Sequence, residues 1–149
     1  MYELDDFMGS FEMNTGYLLM NIAKQLRHNL NQALASFDMT SQQWAVLQQL
    51  VMNQGATQLT ASQLAVQLDM DKPTLSGIIG RLTKKGLLTL AADPNDGRRK
   101  ILTLTANGWE KVEVFQNISN QVLKQCLQRL TTAEQNELNQ LLNRLNGGY

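Results

Sequence analysis

Residues 60–105, TASQLAVQLDMDKPTLSGIIGRLTKKGLLTLAADPNDGRRKILTLT, decide the fold of this chain. Thr60 begins a capping box, in which a hydroxyl and a side chain three residues later satisfy the first free N–H groups of a helix, and this predicts a short helix over 61–68. Asp71 is a favourable N-cap residue, and the proline two positions later suits the first turn of a helix. A second helix is therefore expected over 72–85.

The residue pattern changes after that second helix. Residues 87–90 and 101–104 are short runs of leucine, isoleucine and threonine, which are typical of strands. Between them, residues 93–97 (DPNDG) are dense in turn-forming residues, so a β-hairpin is expected. Two short helices joined by a tight turn and followed by a hairpin form a winged helix-turn-helix, which we assign to residues 38–105. A helix fits the ~12 Å major groove of DNA, so the second helix of such a pair can present side chains to base edges.

Long amphipathic helices are predicted on both sides of this region. Apolar residues at helical spacing, with two further capping boxes, predict helices over 12–36, 41–53, 106–129 and 133–145. The apolar arc of 106–129 is too wide for one contact face, which indicates packing on its own subunit and on a partner. We therefore predict a single domain over 1–149, mainly α-helical with a small β-hairpin. It consists of the winged helix-turn-helix and a helical dimerisation region formed by residues 1–37 and 106–149.

Composition excludes several classes of protein. The 149 residues include 43% apolar residues, enough for a core, but only one cysteine and one histidine. These counts of cysteine and histidine exclude an internal disulfide framework and the usual thiolate or histidine metal sites. With no glycine-rich phosphate loop and no Ser-His-Asp set, we expect no cofactor, no metal and no enzymatic activity. No run approaches the ~20 apolar residues of a membrane helix, and the acidic N-terminal segment does not resemble a secretory signal. A cytoplasmic protein without a membrane partner is therefore expected.

Basic residues concentrate in one segment, although the net charge of the chain is zero. Residues 71–101 hold seven basic and three acidic side chains, a local charge of +4. A basic patch is the electrostatic footprint of a DNA-binding protein, although charge clusters are more often simply solvated faces. The face of helix 72–85 opposite its apolar residues favours DNA, because it carries hydroxyls and cations and no carboxylate beyond the cap. The candidate DNA-binding residues of this helix and its end are Lys72, Thr74, Ser76, Arg81, Lys84 and Lys85.

Two motifs in a fixed order resemble a known family. Residues 81–86 (RLTKKG) are followed by 93–98 (DPNDGR), then by 102–105 (LTLT) and Gly108. This order resembles the MarR family of bacterial transcriptional regulators, and the resemblance extends over nearly the whole chain. It implies an obligate homodimer with intertwined terminal helices that binds a two-fold symmetric double-stranded DNA operator. We expect this protein to act as a repressor.

The resemblance also implies roles for individual residues. Thr74, Ser76 and Arg81 correspond to positions that face the major groove, and Arg98 corresponds to a wing-tip residue that enters the minor groove. Arg99 belongs to the same basic surface, and Asp96 is expected to orient the wing by pairing with an arginine. Gly77 departs from the pattern of many relatives, which carry a longer side chain there.

A ligand site is less well defined by the sequence. Met13, Tyr17, Met20 and Lys24 recur at helical spacing, which suits either a core or dimer contact or a site for a small aromatic or other organic acid that releases DNA. An alternative is a redox-responsive regulator acting through Cys126. Another is a winged-helix protein-interaction module without DNA binding, which would lack the strongly salt-dependent duplex binding of a DNA-binding protein.

Overall fold

The computed structural model of the protein describes residues 14–53 and 59–148. Within these residues it contains six α-helices and one two-stranded antiparallel sheet. The helices are α1 (Thr15–Leu34), α2 (Ser41–Met52), α3 (Ala61–Leu68), α4 (Lys72–Lys84), α5 (Ala106–Cys126) and α6 (Thr132–Leu145), and the strands are β1 (Leu88–Ala92) and β2 (Lys100–Leu104). This confirms the predicted class, a mainly α-helical chain with a winged helix-turn-helix.

Local capping signals set the starts of four helices. Thr40, Thr60 and Thr131 each form a complete capping box: the hydroxyl accepts the backbone N–H of the residue three positions ahead, and the threonine's own backbone N–H donates to the side-chain oxygen of that residue. Asp71 caps α4 through its carboxylate. These bonds satisfy N–H groups that would otherwise lack partners at a helix start, so the predicted caps are confirmed.

Two long helices end earlier than predicted. The first was expected over 12–36, but α1 ends at Leu34 and a single 3-10 turn, Ala35–Phe37, follows it. Asp38 then adopts a left-handed conformation with a φ of 54°, which stops the helix. Periodicity could not place this end, because Phe37 continues the apolar spacing. The fifth helix was predicted to reach residue 129 and ends at Cys126. Residues 12 and 13 lie outside the described residues.

Residues 30–118 form one compact unit, which contains the winged helix-turn-helix. Its largest fully buried side chains are Trp44, Leu34, Leu47, Leu64, Leu82, Leu88 and Val46. Burying side chains of this size contributes roughly 1.5–3 kcal/mol each, before the cost of ordering the chain. The hairpin is tied to the helices by the N–H of Leu102, which donates to the carbonyl of Leu59 at 3.2 Å. We call this unit the winged unit.

A glycine at the start of α5 allows a close packing contact. A Cβ atom on Gly108 would overlap the carbonyl of Leu87, which directly precedes β1. The N–H of Gly108 donates to the hydroxyl of Thr105 at 2.9 Å, so the same glycine takes part in the helix start. Only glycine fits at position 108, which explains structurally why the motif of residues 81–105 is followed by a glycine there.

The chain ends form the second unit, described over residues 14–29 and 119–148. Its helices leave large apolar side chains between 39% and 76% exposed: Leu18, Leu19 and Ile22 on α1, and Leu141, Leu142 and Leu145 on α6. Grouped apolar exposure of this kind marks interaction surfaces. None of the helices in the described residues combines the length and hydropathy needed to cross a membrane.

Candidate nucleic-acid interface

Helix α4 has one apolar and one polar face. Leu75, Ile78, Ile79 and Leu82 are buried in the winged core, and their spacing turns the opposite face outward. The predicted DNA-binding residues of this helix, Lys72, Thr74, Ser76, Arg81 and Lys84, are all exposed. The core therefore holds α4 in place while its hydroxyls and cations face solvent.

The carboxylate at the start of this helix is used to cap it. Asp71 is the only acidic residue between positions 70 and 92, and its Oδ1 accepts the N–H of Thr74 at 2.7 Å. That backbone hydrogen bond lowers the pKa of Asp71 below its ordinary value. The charged carboxylate also interacts favourably with the positive N-terminal end of the helix dipole. Arg81 and Lys84 lie in the last turn, so positive charge grows toward the C-terminal end of α4.

The loop of the hairpin is held together by its own hydrogen bonds. The N–H of Asp93 donates to the carbonyl of Arg99 at 2.9 Å, and the N–H of Arg99 donates to the carbonyl of Asp96 at 3.0 Å. The carboxylate of Asp93 accepts the N–H of Asn95 at 2.9 Å. Arg98 and Arg99 are exposed on this loop, as a DNA-contacting wing requires.

Asp96 bonds to the backbone of the wing, and its expected pairing with an arginine stays a prediction. Its Oδ1 accepts the backbone N–H of Arg98 at 3.1 Å. Among the described residues its carboxylate forms no ion pair. This is an Asx-type turn, in which a short side chain copies a backbone hydrogen bond. The geometry therefore offers a wing-positioning role that depends on the acceptor oxygen and not on charge pairing.

The structure places Lys85 away from the other predicted DNA-binding residues. Its ammonium donates to the backbone carbonyl of Asp38 and lies 3.6 Å from the carboxylate of the same residue. Gln43 Oε1 is a further acceptor at 3.5 Å, and the Lys85 side chain is only 26% exposed. Lys85 thus connects the end of α4 to the start of α2. The expectation that it contacts phosphate like Lys84 is not supported by this position.

A hollow of about 590 Å³ is lined by residues of α3, α4 and the hairpin. Its lining includes three apolar residues, Leu75, Ile79 and Leu90, and three lysines, Lys72, Lys84 and Lys100. Lys100 and the neighbouring Ser62 were not singled out by the sequence, because they belong to other elements that only the fold brings to α4. The one feature of the sequence that could have pointed to Lys100 as an interface residue is its place directly after two arginines of the wing.

The residues predicted to bind a ligand are exposed where they are described. Tyr17 is 47% and Met20 76% exposed on α1, and Lys24 is also exposed, whereas Met13 lies outside the described residues. A separate cavity of about 280 Å³ lies within the winged unit. It is lined by Phe37, Asp38, Met39, Lys85, Leu87, Asn107, Lys111 and Phe115.

The described residues offer little for metal or thiol chemistry. No group of three or more His, Cys, Asp or Glu side chains within them could hold a metal ion. Cys126 is half-buried at the last residue of α5. His28 is exposed on α1.

Comparison with known proteins identifies the family. A sequence model of the MarR family matches residues 37–99. The chain is also 31% identical over 108 residues to the transcriptional regulator HosA of Escherichia coli O111:H-, covering 72% of this chain and 78% of HosA. The chain belongs to the MarR family. It is likewise 31% identical over 97 residues to the transcriptional activatory protein BadR of Rhodopseudomonas palustris, covering 63% of this chain but only 55% of BadR.

Solved structures extend the MarR-family likeness to the fold of nearly the whole chain. A Staphylococcus aureus MepR–DNA complex superposes with a TM-score of 0.75 at 27% identity, covering 91% of this chain and 98% of MepR. Bordetella bronchiseptica BpsR superposes with a TM-score of 0.76 at 25% identity, covering 93% and 97% of the two chains, and 6-hydroxynicotinic acid regulates its DNA binding. The relatives named here are transcriptional regulators, so the expectation that this MarR-family chain is not an enzyme is confirmed.

Proposed function

We propose that the protein is a transcriptional repressor that binds a two-fold symmetric DNA operator as a homodimer and is released by a small organic acid. The observation that carries the DNA-binding part is α4. Four buried apolar residues hold this helix, and its outward face carries hydroxyls and cations without a carboxylate beyond the cap. A helix of this kind fits the major groove, and the similar MepR has been solved with DNA.

The exposed residues divide into two kinds of contact. Thr74, Ser76 and Arg81 read base edges in the major groove, where an arginine can pair with guanine through two hydrogen bonds. Arg98 enters the minor groove from the wing. The remaining cations, Lys72, Lys84 and Arg99, bind phosphates, which position the protein without reading sequence. Lys85 is left out of this set because its ammonium bonds to Asp38.

Selection of bound fragments from a random pool of duplexes tests the proposal and yields the operator. On that operator, Arg81→Ala should change the preferred base at one position of each half-site. Lys84→Ala should weaken all duplexes alike and reduce the salt slope by roughly one for each lost phosphate contact. If the wild-type protein enriches no duplex, the proposal is wrong and a protein-interaction module becomes the better explanation.

The exposed apolar side chains of the terminal unit support the homodimer. Six leucine and isoleucine side chains on α1 and α6 are at least 39% exposed, and Leu123, in the part of α5 that belongs to the same unit, is 45% exposed. Leaving this much apolar surface in water is unfavourable, and pairing with a second copy removes it. Two copies also place two α4 helices on one duplex, where half-sites lie one helical turn, ~34 Å, apart.

The cavity of the winged unit supports regulation by a small aromatic acid. Two rings, Phe37 and Phe115, lie with their centroids 5.8 Å apart, and two ammonium groups, Lys85 and Lys111, line the same cavity. Aromatic walls with a few cations suit an aromatic carboxylate. Lys85 is also the C-cap residue of α4. An anion that competes with Asp38 for the Lys85 ammonium would therefore act directly on the end of the DNA-reading helix.

Benzoate is a suitable first probe, because the cavity has room for a single ring. It should weaken operator binding by about 5- to 150-fold, the usual range of coupling between two sites. Lys111→Met should reduce this response, whereas Lys124→Met, on the exposed last turn of the same helix, should leave it intact. If Lys24→Met alone removes the response, the ligand binds at the surface of α1 that includes Tyr17 and Met20. If no variant changes it, release by an organic acid at either place is wrong.

A further inference from the structure

Two glycines occupy the middle of the outward face of α4. Gly77 and Gly80 are exposed and follow the i, i+3, i+4, i+7 spacing with Arg81 and Lys84. Glycine is among the worst residues for a helix interior, because it loses more backbone entropy than any other residue on folding. A helix that reads DNA therefore carries two destabilising residues at the centre of its exposed face.

No contact within residues 14–53 and 59–148 requires a glycine at either position. An added Cβ atom on Gly80 would meet no other heavy atom within 4 Å, and on Gly77 it would meet only Nη1 of Arg81 at 3.7 Å, an ordinary contact. Neither residue has the positive φ that favours glycine; among the described residues that applies to Gly86 and Gly147. Alanine would fit at both positions and would stabilise the helix. Glycine at such a position suits a close approach of the helix backbone to a binding partner.

The surroundings of Gly80 fit one strand of a nucleic-acid duplex. Gly80 lines the hollow of about 590 Å³ that residues of α3, α4 and the hairpin form. The apolar part of its lining suits deoxyribose, and the three lysines of the lining, Lys72, Lys84 and Lys100, suit the phosphates on either side of the sugar. Gly77 follows Ser76, which lines the hollow, and Nη1 of Arg81 lies 3.7 Å from the position that a Cβ atom on Gly77 would take.

We propose that Gly77 and Gly80 are the positions at which the duplex approaches α4 most closely, with one sugar–phosphate strand lying in the hollow over Gly80. The absence of a side chain lets the strand contact the helix backbone while the three lysines bind its phosphates. At position 77 it lets the duplex come close to the helix backbone beside the Arg81 guanidinium. This inference rests on the proposed DNA-binding function and adds two residues that determine how deeply the helix enters the groove.

The test compares stability with affinity in the full-length protein. Gly80→Ala should raise the melting temperature by roughly 2–4 °C, because alanine favours the helix. The same variant should bind the duplex selected by the wild-type protein at least about tenfold more weakly, because even one methyl group overpacks a close contact. Asn117→Ala, at an exposed position of α5, is the matched control: it should also raise the melting temperature and leave duplex affinity unchanged.

The outcomes separate this inference from the proposed function. If Gly80→Ala binds the selected duplex as tightly as wild type does, the close approach is wrong while the DNA-binding function stands. If wild type binds no duplex, both are wrong. Lys100→Ala provides a second test. If a sugar–phosphate strand lies in the hollow, this variant should reduce the salt slope of duplex binding by roughly one for each lost phosphate contact. An unchanged salt slope would show that the strand does not lie there.

Discussion

Replacing Asp96 tests whether the wing is positioned by geometry or by charge. Its Oδ1 accepts the N–H of Arg98 at 3.1 Å and thereby holds the loop that presents the wing arginines. Asp96→Ala removes both the acceptor and the negative charge. Asp96→Asn removes the charge but keeps an oxygen that can accept the same N–H, since asparagine forms the same type of turn. The two variants therefore separate the two effects.

The free energy of the hydrogen bond to Arg98 is expected to exceed that of the charge repulsion between Asp96 and the DNA phosphates. A lost hydrogen bond costs about 0.5–1.5 kcal/mol, so two wings in a dimer lose about 1–3 kcal/mol, or roughly 5- to 150-fold in affinity. The opposing gain is the removal of one carboxylate from the vicinity of phosphates. A unit charge about 10 Å from another in water contributes about 0.4 kcal/mol, and physiological salt reduces this further. Asp96→Ala should therefore weaken DNA binding even though it removes a negative charge.

Fluorescence anisotropy with the selected operator, repeated at several salt concentrations, measures the effect. Asp96→Asn should bind as tightly as wild type or slightly more tightly, and Asp96→Ala should bind more weakly at every salt concentration. If Asp96→Ala binds as tightly as Asp96→Asn, charge repulsion dominates and the hydrogen bond to Arg98 has no positioning role.

Three further predictions follow from other parts of the structure. Lys85→Met should lower the melting temperature, because the hydrogen bond to Asp38 is worth about 1–2 kcal/mol at this partly exposed site, and it should leave the salt slope of DNA binding unchanged. Lys84→Met should leave the melting temperature unchanged and reduce the salt slope. Equal behaviour of the two variants would contradict their different positions. Deleting residues 131–149 should yield monomers or aggregates in sedimentation, and a stable DNA-binding monomer would refute the dimer interface. The pKa of Asp71 is lowered in the folded protein, so the charged carboxylate contributes to folding stability at neutral pH, and this contribution is lost as the pH falls below about 4. The higher melting temperature of wild type relative to Asp71→Asn should therefore vanish over that range. A constant difference in melting temperature would show that the carboxylate charge is irrelevant.

Much of the candidate interface was predictable because it depends on neighbours in sequence. Thr60 and Asp71 bond to N–H groups three residues away, and the loop between the strands closes on itself within residues 93–99. The buried and exposed faces of α4 follow from helical spacing alone. Such interactions are local, so the sequence contains both partners at a known separation.

The role of Lys85 could not be predicted in this way. In the sequence it is the second of two adjacent lysines at the end of an amphipathic helix, and nothing distinguishes it from Lys84. The carbonyl that accepts its hydrogen bond belongs to Asp38, 47 residues earlier and in a left-handed conformation. Which of two neighbouring cations faces solvent depends on the element packed beside the helix.

The amino-acid sequence by itself determined the helices, their caps, the hairpin and the basic character of α4, because short-range hydrogen bonds and periodic burial act within a few residues. Only the tertiary structure decided which groups from distant elements meet. It brings the N–H of Leu102 to the carbonyl of Leu59, and Lys100 to the hollow beside Gly80. The physical reason is that these contacts form when the apolar faces of the helices and hairpin are buried together, and burial is non-directional, so its geometry emerges only from the packed core.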